Sequence, residues 1–247
     1  MKIHSRTRAV LLVLLLANLS VHGQTAAAPA PAEDKAAAAR AKSDAEQQKK
    51  AADWVASLKL ADPAKEARVQ AVLVTHLSAV RDWHNEHPFT AVPEAVNPAT
   101  GKPLDNLARQ MIADGAMPKT VHAALMSGLR QDLTEAQVAA VLDKYTVGKV
   151  AFTLKGYQAI VPDLKPAEEA TILGFLQQAR EEAVDYKNMN QISAVFEIYK
   201  TKSEQFLNGN GRSWKQLYKD YTDAVKAKKA ADAAAKAAPK PAAAAKP

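Results

Sequence analysis

The sequence predicts an all-α fold, a single bundle-like domain of several helices, and three observations support this class. Apolar residues recur with the 3.6-residue period of a helix in several long segments. Those segments open with residues that cap helices. Only residues 146–157 are rich in β-branched and aromatic side chains, and a lone strand there would have no partner.

The N-terminal segment, residues 1–23, has the composition of a secretory signal peptide. Lys2, Arg6 and Arg8 precede an apolar run over residues 9–19, which is shorter than the roughly 20 residues that span a bilayer. The small-residue pattern that ends at Gly23 predicts cleavage before Gln24. We therefore expect a periplasmic or secreted protein with no transmembrane helix after cleavage. An uncleaved N-terminal anchor is the alternative.

Composition excludes several classes of site. The chain has no cysteine, so disulfide bonds, thiolate metal sites and thiol catalysis are excluded. The net charge is +7, but the excess of basic residues lies in the signal segment and in residues 226–247. The rest of the chain holds 24 basic and 25 acidic side chains. A nearly neutral domain offers no phosphate-binding surface, so we expect no nucleic-acid partner.

The two ends of the chain differ in composition from its middle. Residues 24–44 combine an Ala/Pro-rich linker with the start of a helix rich in Ala, Lys and Glu. Residues 229–247 lack aromatic and branched apolar side chains, which predicts a disordered basic Ala/Lys/Pro tail. That tail is a candidate for contact with anionic envelope polymers, and a solvated tail is the simpler interpretation. The helical domain then covers residues 45–228.

Within this domain, helix signals follow one another along the chain. Asp62 and Pro63 can open a helix whose apolar stripe runs to Trp83. Four prolines in residues 88–103 predict a long loop. Further helices are predicted over PKTVHAALMSGLRQ, LTEAQVAAVLDKY, PAEEATILGFLQQAREEAVDY and ISAVFEIYKTKSEQFL, and a last one from about Ser213 past Val225.

Two of these segments carry more specific signals. Thr134 and Gln137 have the spacing of a capping box at the start of LTEAQVAAVLDKY. For residues 146–157 we expect an extended or kinked connection that leads into a short helix near Tyr157. Two glycines weaken a helix in that stretch, and its other side chains favour extended chain.

The segment LTEAQ, together with the looser LKPAEE, resembles the paired LTxxQ motif of Spy-like periplasmic chaperones. Those proteins are small, cradle-shaped and helical. The resemblance implies a chaperone that holds unfolded clients on an exposed apolar face.

Residues 50–210 resemble the uncharacterised bacterial family catalogued as domain of unknown function 3826. The resemblance rests on RVQAVLVTHLSAVRDWHNEH, YTVGKVAFTLKGYQAIVPDLKPAEEATILGFLQQAREEAVD and FEIYKTKSEQFL, and most of all on residues 153–157, 180–185 and 199–200. This chain has Glu182 where relatives tend to have a histidine, and YKTKSE where they have an aromatic-lysine-glycine-arginine run. The resemblance implies an exported helical protein loosely associated with carbohydrate use, without an established activity.

The stretch WHNEH is the first candidate site. His84 and His87 would share a helix face and could bind zinc or copper if Glu86, Asp82 or a distant residue completed the ligand set. His87, however, precedes a proline, which predicts that the helix ends there. We therefore predict the end of a helix, no metal site and no cofactor.

Two other residues of the same segment have similar alternatives. Trp83 is a candidate for stacking on a sugar ring, and packing in the core is the favoured interpretation. His76 lies within the apolar stripe, where we expect a core histidine that donates to a carbonyl.

A second candidate set of binding residues consists of Tyr157, Arg180, Asp185, Tyr199 and Lys200. Arg180 and Asp185 are five residues apart on one helix, so they cannot pair ideally with each other. A network of structural ion pairs, with Glu197 or Asp185 receiving Arg180, is favoured over a ligand pocket.

The sequence contains none of the GxSxG, HExxH, P-loop or Rossmann motifs, so no catalytic residue is nominated and a non-enzyme is favoured. We expect an envelope binding or adaptor protein, with a carbohydrate or an envelope protein as its partner. The alternatives are a Spy-like chaperone and an enzyme of unrecognised type.

Overall fold

The structure is a computed structural model, and it describes residues 31–98 and 100–237. The predicted signal peptide, the linker residues 24–30 and the last ten residues, 238–247, lie outside the described part. The described residues divide into two units between Ala41 and Lys42, so residues 31–41 are separate from the rest. Everything below on packing and sites concerns the second unit.

The described residues confirm the all-α prediction, because they form nine α-helices, one short 3-10 helix at Phe89–Ala91 and no strand. The α-helices are α1 (Pro31–Ala56), α2 (Pro63–Glu86), α3 (Asn106–Gly115), α4 (Lys119–Asp132), α5 (Glu135–Tyr145), α6 (Lys149–Ile160), α7 (Pro166–Ala183), α8 (Met189–Gly209) and α9 (Trp214–Ala237). None of these helices is both long enough and apolar enough to cross a membrane.

Local capping sets several of these boundaries, as the sequence predicts. The Asp62 carboxylate accepts from the N–H groups of Ala64 and Lys65 at the start of α2. Thr134 and Gln137 form both halves of the predicted capping box at the start of α5. Each contact satisfies a backbone N–H that has no partner within its own helix.

The apolar faces of the helices assemble into two adjacent cores. The first joins the end of α1 to α2, α4 and α5, with Leu73, Leu129 and Val141 fully buried. The second joins α6, α7 and α8, with Leu176 and Phe196 at its centre. The first core brings together helices that are distant in sequence, whereas the second is built from three consecutive helices.

The stretch 146–157 differs from its predicted extended conformation, because α6 covers most of it. Val150, Tyr157 and Val161 are buried, and their helical spacing places them on one face against the second core. This burial outweighs the β propensity of the individual residues. The expected kink lies earlier, at Val147 and Gly148, which both have a positive φ, 53° and 67°.

Helix α3 was not predicted, although Asp105 caps it by accepting from the N–H of Ala108. Helix α1 begins at Pro31, within the segment 24–44 that was predicted to hold a linker and the start of a helix. Helix α9 continues to Ala237 and thus covers part of the predicted tail.

Helices α2 and α4 approach each other closely at Gly128. A Cβ atom built on Gly128 would lie 2.6 Å and 2.9 Å from the two γ-methyl groups of Val72. Only a residue without a side chain fits this contact. His76 on the same helix as Val72 and His122 on the same helix as Gly128 both bind Asp185 at the site described below.

We expect Gly128→Ala to lower the free energy of unfolding by about 1–3 kcal/mol, because the new methyl group overpacks against Val72. Adding Val72→Ala should restore part of that loss, so the two changes should be non-additive. Urea unfolding of both single variants and the double variant measures this coupling. Gly174→Ala is the control, since its Cβ meets no atom within 4 Å, and it should not destabilise. Strict additivity of the two changes would contradict the close contact.

Candidate functional sites

Two cavities in the described part of the chain contain residues predicted for a binding site, and both combine polar and aromatic linings. The polar pocket, of about 680 Å³, is lined by residues that include Asp114, Lys119, His122, Glu181, Glu182, Asp185, Tyr186 and Tyr199. The aromatic groove, of about 730 Å³, is lined by Phe152, Tyr157, Trp214, Tyr218 and Tyr221 together with Lys149, Lys155, Glu197, Lys200 and Glu204, among others. Helix periodicity explains part of one wall of the polar pocket, since Asp185 follows Glu181 by four residues and Glu182 by three at the end of α7.

The centre of the polar pocket is Asp185, whose carboxylate lies between two imidazole rings. Its Oδ1 is 3.0 Å from His76 Nε2, and its Oδ2 is 2.9 Å from His122 Nδ1. Burial alone would raise the pKa of Asp185, but the hydrogen bonds from His122 and His76 outweigh it and hold the pKa below its ordinary value. Asp185 is therefore ionised at neutral pH and accepts from both rings.

His76 extends this network into the first core. Its Nδ1 lies 3.1 Å from the Tyr145 hydroxyl. Burial raises the pKa of Tyr145, so the hydroxyl keeps its proton and can donate to that nitrogen. The expectation that His76 donates to a carbonyl was wrong. The buried ring instead joins a tyrosine to a carboxylate, because three helices converge on it.

His122 is the part of the network that reaches the polar pocket, with 27% of its side chain exposed. The hydrogen bond with Asp185 raises the pKa of His122 despite the opposing effect of burial, and the charges of Asp185 and Glu181 add to the increase. Its Nε2 lies 3.7 Å from Glu181 Oε1. The ring is thus held on one side and faces the cavity on the other.

Two further pairs shape the pocket wall. Buried Asp114 accepts from His84 Nδ1 at 2.6 Å and also from the side-chain amides of Gln110 and Gln191. Tyr199 donates to Glu182 at 2.8 Å. Burial, followed by the contact with Glu182, raises the pKa of Tyr199 to about 12. Asp114 thus joins α3 to α2 and α8, and Tyr199 joins α8 to α7.

The stretch WHNEH is the end of a helix, as predicted. Helix α2 stops at Glu86 and His87 is its C-cap, with His87 Nδ1 2.8 Å from the Trp83 carbonyl oxygen. Trp83 stacks on His87 and donates its indole N–H to the Ala113 carbonyl. His84 faces Asp114. In the described part of the chain, no group of three or more His, Cys, Asp or Glu side chains is arranged to hold a metal ion.

The second predicted set is divided between the two cavities. Asp185 and Tyr199 line the polar pocket. Tyr157 and Lys200 line the aromatic groove, where the Tyr157 hydroxyl donates to the Lys200 carbonyl at 3.1 Å. Arg180 lies at neither, so the five residues do not form one site.

Arg180 pairs with a residue that was not predicted. Its Nη1 lies 2.9 Å from Asp143 Oδ1 and 3.3 Å from the Ala139 carbonyl, so it links α7 to α5. The expectation that Glu197 or Asp185 receives this guanidinium was wrong, because Arg180 projects from the opposite side of α7 toward α5. The predicted structural role of the ion pair stays a prediction.

The aromatic groove is built around three neighbouring rings. The centroids of Tyr157 and Trp214 are 5.2 Å apart, and those of Trp214 and Tyr218 are 6.0 Å apart. Tyr218 is half exposed, and Phe152, at 79% exposed, stands at the edge of the groove. On the polar side, Lys200 Nζ binds Glu197 at 2.9 Å. Burial raises the pKa of Glu204.

A buried ion cluster holds α9, and therefore Trp214 and Tyr218, in position. Arg212, in the turn before α9, binds Glu168 through two nitrogens at 2.9 Å and 2.8 Å and binds Asp163 at 2.9 Å. The hydrogen bonds from Arg212, followed by the N–H of Lys165, lower the pKa of Glu168 to about 2. The turn that starts α9 is thus tied to the start of α7.

The sequence profile of a family described as a protein of unknown function, DUF3826, matches residues 44–227. The chain belongs to this family. The match confirms the resemblance seen in the sequence, and it includes every residue of both cavities. A comparison with curated proteins found no match.

Several site residues in this family member had no signal in the sequence. Asp114 lies on helix α3, which was not predicted. The capping residue Asp105 is the sequence signal that indicates this helix. His122 lies on a predicted helix, but nothing in its neighbourhood indicates a partner 63 residues away. Trp214 and Tyr218 lie just after a predicted helix start, and nothing in the sequence distinguishes them from ordinary core residues.

We expect the Glu168–Arg212 contact to make stability depend on acid pH. Because the pKa of Glu168 is lowered by folding, its contribution is complete above the unfolded value of about 4.3 and is lost as pH falls toward 2. Glu168→Gln should therefore lower the melting temperature at pH 7, and the difference from wild type should shrink between pH 4 and pH 2. Melts followed by circular dichroism measure this. Glu169→Gln, the other acid of the same first turn, is the control, and an equal effect there would contradict the specific pairing.

We expect Arg180 to stabilise the folded state more through the packing of its side-chain stem than through its charge. Its side chain is 11% exposed while that of Asp143 is 43% exposed, so loss of Arg180 leaves Asp143 accessible to water. Arg180→Ala should cost about 1–2 kcal/mol, because the buried stem is lost. Arg180→Met keeps the stem and should cost less than half of that. Equal losses in the two variants, measured by urea unfolding, would show that the ion pair dominates.

Proposed function

We propose that the protein is a binding protein of the cell envelope that takes up a carbohydrate in the aromatic groove. The observation that carries this proposal is the stacked pair Trp214 and Tyr218 along one wall of an open cavity, with the buried ring of Tyr157 packed behind Trp214. The basic, apolar and small-residue order of residues 1–23 supports a place of action outside the cytoplasm.

The lining of the groove suits the two kinds of surface that a sugar presents. The C–H face of a pyranose packs against an aromatic ring, which buries apolar area without ordering a long side chain. Its hydroxyl groups need hydrogen-bonding partners at the edge of the ring. Glu197, Lys200 and Glu204 provide such partners on α8, and Glu197 holds the Lys200 ammonium in place.

The charges of the groove favour a neutral sugar. Glu197 and Glu204 line it together with three lysines, Lys149, Lys155 and Lys200. One lysine is paired with Glu197, and another, Lys149, lies over the Phe196 ring with its Nζ 5.7 Å from the ring centroid. With the two signs nearly balanced, neither a strongly anionic nor a cationic ligand gains much by long-range attraction.

A chaperone function is the second candidate, and one observation favours it. Phe152 and Tyr218 expose apolar surface at the groove, and unfolded segments bind to such surface. A chaperone of this type should suppress aggregation of an unfolded client near a one-to-one ratio. A sugar-binding protein should not.

We expect a neutral oligosaccharide identified on a glycan array to bind with lower affinity to Tyr218→Ala. Loss of one stacking ring should raise Kd about tenfold, which corresponds to about 1.4 kcal/mol. Isothermal titration calorimetry measures Kd, and the emission of Trp214 should shift on binding because it lines the same groove.

Ile198→Ala provides the matched control, because Ile198 is half exposed on α8 and does not line the groove. Its Kd should equal that of wild type. Suppression of aggregation without binding of any glycan would replace the carbohydrate proposal with the chaperone.

A further inference from the structure

The polar pocket contains a histidine–aspartate pair that sugar binding in the aromatic groove does not use. His122 Nδ1 and Asp185 Oδ2 are 2.9 Å apart, and Asp185 is ionised, so the ring donates Nδ1–H to the carboxylate. In the neutral ring this leaves Nε2 without a proton. A histidine fixed in that tautomer by a carboxylate is the arrangement of a general base.

Asp185 is itself held in position by a second hydrogen bond, on the carboxylate oxygen that His122 does not contact. His76 Nε2 binds the other carboxylate oxygen at 3.0 Å, and Tyr145 binds His76. His76 and Tyr145 are buried, so neither can swing away. They are positioning residues, because they reach the pocket only through Asp185. A carboxylate fixed in this way stabilises the imidazolium that forms when His122 takes a proton.

The unprotonated Nε2 of His122 lies beside a carboxylate oxygen of Glu181, which can accept a hydrogen bond. His122 Nε2 and Glu181 Oε1 are 3.7 Å apart, which is too long for a direct hydrogen bond. A water molecule that contacts both can donate one hydrogen to each. Its lone pairs then face the cavity of about 680 Å³ that both residues line.

We propose that the polar pocket hydrolyses a small carboxylic ester, with His122 as the general base. This activity is independent of carbohydrate binding in the aromatic groove, since the two cavities share none of the residues that line them.

The reaction needs only water and the ester. His122 Nε2 takes a proton from the water while its oxygen forms a bond to the ester carbonyl carbon, and the carbonyl electron pair moves to oxygen. That pair then returns and the bond between the carbonyl carbon and the alkoxy oxygen breaks. The imidazolium gives its proton to the departing alkoxide, which leaves a carboxylic acid, an alcohol and neutral His122.

Tyr186 and the charge of the pocket define the substrate further. Burial and the nearby carboxylates raise the pKa of Tyr186, so its hydroxyl keeps its proton and can donate to the oxyanion. Glu181, Glu182 and Asp185 outnumber Lys119 on the pocket wall. An ester that is neutral or positively charged is therefore preferred to an anionic one.

The full chain should hydrolyse p-nitrophenyl acetate, and His122→Asn should reduce the rate roughly 10²-fold or more, as expected for loss of a general base. Asparagine can still donate to Asp185, so the variant should fold, and a thermal melt checks this. His87→Asn is the matched control, because His87 caps α2 and does not line the pocket. A rate in His122→Asn equal to wild type, or an equal loss in His87→Asn, overturns the proposal.

The pH profile provides a second criterion. The charged groups around His122 are Asp185, Glu181 and Glu182 from α7 and its end, Asp114 from α3 and Lys119 on its own helix. The carboxylates raise its pKa above the usual value of about 6.5. Because only the neutral ring is a base, the rate should rise with pH through that raised value. A rate that does not change between pH 6 and pH 9 overturns the role of His122.

A measurement without a substrate tests the tautomer directly. In ¹⁵N nuclear magnetic resonance spectra of the wild-type protein above the pKa of His122, the proton should lie on Nδ1 and the Nε2 signal should be that of an unprotonated nitrogen. A proton on Nε2 in the neutral ring overturns the proposal, whatever the esterase assay shows.

Discussion

A single partly buried carboxylate links much of the domain. Asp185 follows α7, and it accepts hydrogen bonds from His76 on α2 and from His122 on α4, while His76 reaches Tyr145 on α5. A charge that is largely withdrawn from water is costly unless its partners are in place. The relative positions of four helices are therefore restricted to those that bring both imidazoles to the same carboxylate.

Close packing makes that network possible. The absence of a side chain at Gly128 lets α4 approach α2 at Val72, and α7 packs along α8 in the second core. The two cores meet at the network, so the polar pocket opens where one set of helices ends and the other begins. A cavity at such a junction is lined by side chains from both sets. This explains why one pocket combines His122 from α4 with Tyr199 from α8.

The two cavities differ in what stabilises them and in what they can bind. The aromatic groove depends on α9, which is tied down by the contact of Arg212 with Glu168, and it presents rings next to balanced charges. The polar pocket depends on Asp185 and presents a base, an acceptor and a protonated tyrosine hydroxyl. Binding of a neutral sugar suits the groove, and proton transfer suits the pocket. Under the two proposals, the chain binds a sugar at one place and hydrolyses an ester at another.

The sequence by itself determined the all-α class, most helix boundaries and the family. Helix formation depends on hydrogen bonds and caps within a few residues, so Asp62 at α2 and Thr134 with Gln137 at α5 could be read directly. The end of a helix within WHNEH could also be predicted from neighbouring residues, because a proline follows His87. The conformation of residues 146–157, by contrast, could not be predicted from neighbouring residues alone. Their helix forms because Val150 and Tyr157 find a core to enter.

Only the tertiary structure decided which side chains meet at the sites. His76 and Asp185 are 109 residues apart, and His122 and Asp185 are 63 apart. No periodic pattern relates positions so distant, since helix periodicity fixes which face a residue occupies but not which helix packs against that face. Asp185, Tyr157 and Lys200 could thus be selected as candidates from the sequence. Their division between a polar pocket and an aromatic groove was set by helix packing, which also gave Arg180 its partner Asp143.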